Sequence, residues 1–198
     1  MSPRPDVSAQ RMPQILGAAA EVFGRLGLGA ATVADIAEAA GLSKALVFKY
    51  FRSKDELVLA LVRSLFDGFP GPQRAPEMSC KAALLDWCDA SARALEGNAV
   101  FAAVATELLA SASREAGMRE IVRVAYARLL DEVAAVIADG VAEGEFVTGD
   151  AHGAALAVIA QMEGANMLYL VGPAGFSLRD AYRSGVALLL DGLTRPAR

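Results

Sequence analysis

The stretch Thr32–Leu57, TVADIAEAAGLSKALVFKYFRSKDEL, predicts two short helices joined by a tight turn, followed by the start of a third. Thr32 is a residue type that caps helix N-termini, and apolar residues follow it at helical spacing. Gly41 can adopt the left-handed conformation that ends a helix, and Ser43 can cap the next one. A helix, a short glycine-containing turn and a second helix form a helix-turn-helix, whose second helix can lie in a major groove.

The second helix of this pair has two different faces. At about 100° per residue, the side expected to face a core carries Leu46, Val47, Tyr50 and Phe51. The other side carries Lys44, Ala45, Phe48 and Lys49. An outward Phe on so short a helix is unfavourable unless something covers it, and a thymine methyl group or a sugar can do so.

The lysines of the chain are concentrated in this segment. Of four lysines in 198 residues, Lys44, Lys49 and Lys54 lie within eleven residues of one another. A solvated charged face is the ordinary explanation of such a run, but here it coincides with a capped turn and an outward Phe, which favours phosphate and base contacts. Lys54 lies at a predicted helix N-terminus, where the helix dipole disfavours a cation. We therefore expect a backbone phosphate beside it.

These residues resemble the DNA-binding domain of the tetracycline-repressor (TetR-like) family of bacterial transcriptional regulators. The resemblance extends from about Gln10 to Leu61, through ILGAAAEVFGRLGLGAATV, IAEAAGLSKALVFKYF and SKDEL. It implies an all-α fold of about nine helices, in which an N-terminal three-helix helix-turn-helix domain precedes a larger C-terminal ligand-binding and dimerisation domain. It also implies a homodimer that binds a palindromic double-stranded operator and releases it when a small ligand enters the larger domain.

The resemblance implies a set of DNA contacts by position. They are Thr32, Ser43, Lys44, Ala45, Phe48, Lys49, Tyr50 and Lys54. Leu46, Phe48 and Lys49 depart from the commonest family pattern, which has Thr, Tyr and His at these positions. The first two departures remove hydroxyl groups that can reach phosphate, and the third adds a charge. The operator sequence therefore does not transfer from the family.

Charge is distributed unevenly along the chain, whose formal net charge is −4. Residues 1–66 contain eight basic and six acidic residues, whereas residues 67–198 contain eleven and seventeen. This difference in charge between the two parts of the chain is typical of a DNA-binding module joined to an acidic domain. The hydrophobic content of 55% excludes disorder over most of the chain.

The predicted domains are 10–56 for DNA binding and 77–198 for ligand binding and dimerisation, with a helix to about residue 69 as connector. Between them, 70–76 (PGPQRAP) is the strongest interior linker signal. Cys80 and Cys88 are about 12 Å apart along one predicted helix, too far for a mutual disulfide. Buried small hydrophobic residues are the expected interpretation, with a redox role as the alternative. The N-terminal residues have no apolar run typical of a signal peptide, which favours a cytoplasmic location.

A predicted helix over about 150–171 is apolar almost all round, which raises the possibility of a membrane span. His152, Gln161, Glu163 and Asn166 argue against a span, because polar groups at mid-bilayer are unfavourable. We expect one face to pack on its own domain and the other on a second subunit. With the helix from Ser177 to about Leu193, it is predicted to form a four-helix dimer interface, as the resemblance also implies.

The candidate ligand-binding residues lie on the predicted helices of the second domain, where ligands bind between helices. They are Trp87, Cys88, Phe101, Glu107, Met118, Tyr126, Met162, Glu163 and Asn166. Ordinary packing is the stronger explanation for each of them. Glu107 and Glu163 need partners in apolar stretches, and Arg123, Arg128 or solvent compete with a ligand for that role. The expected effector is apolar and small.

An enzyme is the main alternative class of protein, and the sequence argues against it. The chain has one histidine, His152, and no nucleophile elbow, phosphate-binding loop or paired-cysteine zinc motif. We expect no catalytic residue, metal or cofactor. A helical ligand-binding or scaffold protein without DNA binding is the second alternative, and the lysine cluster and helix caps count against it.

Overall fold

The computed structural model describes residues 7–67, 71–96, 109–172 and 175–194, and these contain helices and no strand. The helices are α1 (Val7–Ala30), α2 (Val33–Ala39), α3 (Lys44–Tyr50), α4 (Lys54–Asp67), α5 (Cys80–Glu96), α7 (Ala116–Ala142), α8 (Ala151–Val171) and α9 (Leu178–Gly192). Residues 109–114 are also helical, and we call them α6. The all-α prediction is confirmed.

The described residues form two compact units. One contains those of 1–68 and 100–123, and the other contains those of 69–99 and 124–198, so α7 has residues in both. The predicted ranges 10–56 and 77–198 assigned all of 100–123 to the second domain, and we keep those ranges as a functional hypothesis.

In the first unit, α1 packs on α2 and α4, and α2 packs on α3. The core between them is made by fully buried apolar side chains, including Ile15, Phe23, Ile36, Val47 and Leu57. α1 is interrupted at Gly27, which has a φ of 76°. Glycine suits this position because it has no Cβ to oppose a positive φ.

In the second unit, α9 packs on both α5 and α8. Acidic side chains cap two of these helices from a distance in sequence. Glu145 accepts hydrogen bonds from the backbone N–H groups of Cys80 and Lys81 at the start of α5. Glu96 accepts from those of Leu178 and Arg179 at the start of α9. A carboxylate at a helix N-terminus satisfies otherwise unpaired donors and complements the helix dipole.

The predicted linker is hydrogen-bonded to Glu132 of α7 and to Glu143, which directly follows that helix. The backbone N–H of Gly71 donates to Glu132, and Arg74 forms a two-point ion pair with Glu143, with both N···O distances 2.6 Å. A Cβ at Gly71 would lie 2.1 Å from the Glu132 carboxylate, which explains why this position suits glycine. The described part of the linker, from Gly71 onward, is therefore an ordered part of the second unit.

Candidate nucleic-acid interface and ligand site

The helix-turn-helix is built by local caps that the sequence predicted. Thr32 and Asp35 form a reciprocal capping box at the start of α2. The hydroxyl of Thr32 accepts from the Asp35 backbone N–H and donates to the Asp35 carboxylate. Hydrogen bonds from the Thr32 side chain and backbone lower the pKa of Asp35 below its ordinary value. Gly41 has a φ of 64°, and the Ser43 hydroxyl accepts from Leu46 N–H, so both predicted turn residues are confirmed.

The two faces of α3 differ in exposure as predicted. Val47 and Phe51 are buried, and Leu46 and Tyr50 are half-buried against the first unit. Phe48 remains 42% exposed. The other exposed positions of the helix and its cap are Ser43, Lys44, Ala45 and Lys49.

Lys44 lies over the ring of Phe48, with 5.8 Å between its Nζ atom and the ring centroid. At this distance the ammonium group interacts favourably with the ring face. The pair places a positive charge and an apolar ring on the same outward surface. Together with Lys49 they form the recognition face, the name we use below for the surface of Lys44, Ala45, Phe48 and Lys49.

Lys54 has partners within the chain. Its Nζ atom donates to the backbone carbonyl oxygens of Leu28, Gly29 at 3.3 Å and Ala31 at 2.9 Å. These carbonyls follow the break in α1, at the negative end of its dipole. The unfavourable position of a cation at the start of α4, which led us to expect a phosphate, is therefore offset inside the protein.

A second long-range contact of this region has no counterpart in the sequence patterns. Gln14 of α1 donates through Nε2 to the carbonyl oxygen of Ala40, 2.8 Å away, at the C-terminal end of α2. The pairing joins residues 26 positions apart, and no local pattern signals it.

In the second unit, three of the nine ligand candidates form one hydrogen-bonded cluster. Tyr126 donates to a carboxylate oxygen of Glu163 at 2.8 Å, and Asn166 donates to the other at 3.3 Å. Tyr182 of α9 donates to the side-chain oxygen of Asn166. We call Tyr126, Glu163, Asn166 and Tyr182 the tyrosine–glutamate network.

The two arginines expected to compete for Glu163 form ion pairs with other glutamates. Arg123 pairs with Glu120 three residues before it, and Arg128 pairs with Glu132 four residues after it. Both pairs lie along α7 and are partly or wholly exposed. The hydrogen bonds to the Glu163 carboxylate come instead from a phenol and an amide.

The network lies in an apolar environment that perturbs its phenols. Burial and the neighbouring charge of Glu163 raise the pKa values of Tyr126 and Tyr182 far above their ordinary range. Both phenols therefore stay protonated and act as hydrogen-bond donors. Tyr182 is not among the ligand candidates drawn from the sequence, so its part in the network is a finding of the structure.

Two sulfur-containing candidates also meet in this unit. The Sγ atom of Cys88 lies 3.8 Å from the Sδ atom of Met162, and Trp87 is buried beside Cys88 on α5. Burial raises the pKa of Cys88 to about 12, which keeps it an inert thiol at neutral pH. Met118 is buried in the first unit. Phe101 and Glu107 lie outside the described residues.

The matches to known families agree with both halves of this architecture. Residues 15–61 match the family described as "Bacterial regulatory proteins, tetR family". Residues 80–194 match the "BetI-type transcriptional repressor, C-terminal" family, which covers more than half of the chain. The chain belongs to the TetR family of bacterial transcriptional regulators.

Three relatives indicate how far the similarity extends. The HTH-type transcriptional regulator BetI of Rhizobium meliloti is 40% identical over 63 residues, which are 32% of this chain and 31% of that protein. The chain thus spans about a third of the length of the curated relatives first matched. The structure of the TetR-family regulator PfmR from Thermus thermophilus is 28% identical, with a TM-score of 0.71 over 91% of this chain and 99% of that one. FadR from Bacillus subtilis in complex with stearoyl-CoA has 20% identity and a TM-score of 0.76, over 91% and 98%.

This TetR-family regulator has a second polar cluster that joins α5 to α9. The Asp89 carboxylate of α5 is buried and accepts from Arg183 at 2.9 Å and Arg179 at 3.2 Å. Burial by itself would raise the pKa of Asp89, but the two arginines outweigh it and lower the pKa below its ordinary value. Helical periodicity places Asp89 off the apolar stripe of its helix. Its arginine partners are 90 and 94 residues later in the chain, so the periodicity of α5 cannot identify them.

Cys80, Glu143 and Glu145 are the one group among the described residues whose ligand atoms are close enough to suggest a metal ion. Glu143 is paired with Arg74, and Glu145 caps α5. Burial raises the pKa of Cys80 to about 11, so the thiolate that a metal requires is disfavoured. These contacts explain the cluster as a structural one. Both cysteines are buried and free, as expected from the sequence.

Apolar side chains remain exposed along α8 and on α9. The most apolar 18-residue stretch of α8 (Ala151–Val171) is 28% buried. By length and composition alone, this helix could cross a membrane. The large exposed residues are Leu156, Met167, Leu168, Leu170 and Val171 on α8, and Leu188 on α9. Ala160 and Gly164 are exposed on α8 as well. An exposed apolar surface of this kind is typical of an interaction site.

Proposed function

We propose that this TetR-family regulator is a cytoplasmic repressor that leaves a palindromic operator when a small, largely apolar effector binds its second unit. The observation that supports operator binding most strongly is the recognition face on α3, whose N-terminus is capped by Ser43. Its lysines can contact phosphates and bases, and Phe48 and Ala45 can contact thymine methyl groups. Thr32, Ser43 and Tyr50 complete the proposed contacts from the ends of α2 and α3.

The tyrosine–glutamate network is the proposed effector site. It places hydrogen-bonding groups among Cys88, Met162 and other buried apolar side chains, and few polar groups in an apolar surrounding are typical of ligand sites. FadR from Bacillus subtilis, which has the same fold, has been solved with stearoyl-CoA, a molecule with a long apolar chain. We propose an effector with an apolar body and a polar group that hydrogen-bonds to Glu163 or Tyr126.

The effector proposal is tested with a duplex that the wild-type chain selects from a randomised library. Small apolar compounds with and without a hydrogen-bond donor are screened for release of this duplex in a mobility-shift assay. Glu163→Gln should leave duplex binding unchanged and raise the concentration of an active compound needed for release at least about tenfold, the loss of one hydrogen bond to a charged group.

Glu120→Gln is the matched control, because Glu120 is an exposed glutamate paired with Arg123. It should respond as the wild type does. An unchanged response of the Glu163 variant would remove the network from the effector site, and a chain that selects no duplex would favour a helical ligand-binding module instead.

We also propose that the exposed apolar surface of α8 and α9 is covered by a second copy of the chain. A four-helix interface would bury the residues that the single chain leaves exposed and would place two recognition helices on one operator. Because the buried area of such an interface is largely apolar, a charge at its centre should disrupt it.

Leu168→Glu or Leu188→Glu should therefore convert a dimer into a monomer in sedimentation velocity. Val147→Glu is the control, since Val147 is a similarly exposed aliphatic residue outside both helices. It should remain a dimer. Dimers from all three variants would refute this interface.

A further inference from the structure

Two side chains from neighbouring helices hold the two ends of α2. Lys54, the first residue of α4, donates to the carbonyls of Leu28 and Gly29 in the last turn of α1 and to that of Ala31, which directly precedes the N-cap Thr32. Gln14 of α1 donates to the carbonyl of the C-cap residue Ala40. The segment that leads into α2 is therefore attached to α4, and the end of α2 is attached to α1.

The ammonium group of Lys54 has as many carbonyl acceptors around it as it has N–H donors. A lysine ammonium has three N–H donors and no acceptor, and three carbonyl oxygens lie within hydrogen-bonding distance of it. A phosphate contact would have to replace one of these bonds. The same carbonyls lie beyond the break at Gly27, where the regular hydrogen bonding of α1 is interrupted. Lys54 supplies donors to carbonyls that would otherwise lack them.

The position of α2 matters because α3 packs on it. The turn between them contains Gly41 and Ser43, whose geometry is set by backbone and cap bonds. A shift of α2 by a fraction of a turn would move the recognition face relative to the rest of the first unit. A binding constellation has to be held within about 0.5 Å of its productive geometry, and it is the base contacts, not the phosphate contacts, that carry sequence specificity.

We propose that Lys54 and Gln14 are positioning residues that clamp α2 and so set the orientation of the recognition helix, and that Lys54 acts through the α1–α2 junction instead of binding a phosphate. The clamp also gives the connector helix a mechanical link to the DNA-binding surface. Movement of the first turn of α4 displaces the Lys54 ammonium, and with it the carbonyls that precede α2.

The test compares Lys54→Gln, Lys54→Arg and Gln14→Leu with Lys49→Gln, a change on the exposed recognition face. Binding to the library-selected duplex and to an unrelated duplex is measured over a range of salt concentrations. Loss of a phosphate contact weakens binding to both duplexes equally and lowers the salt slope of binding by about 1.

The clamp predicts a different pattern for Lys54→Gln and Gln14→Leu. The ratio of selected to unrelated affinity falls at least about tenfold, the size expected when one base pair is no longer contacted properly, while the salt slope stays within about half a unit of the wild type.

Lys54→Arg keeps the charge and the donors, and it should recover part of the lost selectivity. A second readout needs no DNA. The backbone amide resonances of residues 28–43, from the end of α1 to the cap of α3, should shift in Lys54→Gln and in Gln14→Leu, and should stay in place in Lys49→Gln. This separates failure of the clamp from failure of the proposed repressor function.

The clamp is overturned if Lys54→Gln lowers the salt slope by about 1 at unchanged selectivity and unchanged amide resonances. If Lys54→Gln does not fold, Gln14→Leu decides the matter, since it alters no charge. Wild-type selectivity in that variant would equally overturn the proposal.

Discussion

Polar side chains have different hydrogen-bond partners in residues 28–57 and between the helices of the second unit. Between Leu28 and Leu57 they bond mainly to backbone groups, as Thr32, Ser43, Ser53 and Lys54 do. Between α5, α7, α8 and α9 they bond mainly to each other, as in the tyrosine–glutamate network and the Asp89–arginine cluster. Backbone bonds fix a helical frame, whereas side-chain networks can be rearranged without unfolding a helix. The first pattern suits a surface that must keep its shape, and the second suits a site that must respond.

The largest difference in stability should come from Asp89. Asp89→Asn removes the charge that both Arg179 and Arg183 share, and should lower the free energy of unfolding at pH 7 by about 2 kcal/mol. The folded-state pKa of Asp89 lies below its ordinary value of 3.8, so the charge favours folding above that pH. The difference between wild type and variant should shrink as pH falls through the folded-state pKa.

Urea titrations from pH 7 to pH 3 measure this difference. Glu120→Gln breaks an exposed ion pair with Arg123 and serves as the control, with an expected cost of about 0.5 kcal/mol. Equal effects of the two substitutions would mean that the Asp89 cluster adds nothing beyond a surface pair, and the contrast between the two regions would weaken.

A smaller effect is expected at the cap of α2. Thr32→Ala removes the hydroxyl that accepts from Asp35, and should lower the unfolding free energy by roughly 0.5–1 kcal/mol. Thr32→Ser keeps the hydroxyl and should lie close to the wild type in the same urea titration. If Ser is as destabilising as Ala, methyl packing and not the cap bond holds the start of α2.

The same contrast explains what could be predicted from the sequence. Thr32, Gly41 and Ser43 were predicted correctly because a cap or a left-handed glycine acts on residues within four positions of itself. Ser53 and Glu56 have the spacing of a capping box, but the box is only half present: Ser53 accepts from Glu56 N–H, whereas Glu56 accepts from Arg52 N–H instead of Ser53 N–H. Sequence patterns do not show which of two adjacent backbone N–H groups a side chain will bond to.

The long-range pairs could not be predicted. Lys54 finds its acceptors 23 to 26 residues earlier, and Tyr126 finds Glu163 37 residues later. Such pairs depend on how helices pack, and the sequence shows only that a polar group in an apolar stretch needs some partner. For Glu163 that need is visible in the sequence, but the identity of its phenol and amide partners is not. Glu96 and Asp89 lie two turns apart on α5 and both contact the start of α9, a spacing that could have indicated one shared polar face.

Operator binding as proposed here requires the recognition face of α3 to enter the grooves of duplex DNA. Selection of duplexes from a randomised library, with the wild-type chain and with Lys44→Ala/Lys49→Ala, decides whether it does. The wild type should enrich a two-fold symmetric sequence, and the double variant should lose this enrichment while its unfolding free energy changes by less than about 0.5 kcal/mol, as for other exposed substitutions. If the double variant enriches the same sequence with the same affinity, this face does not read DNA.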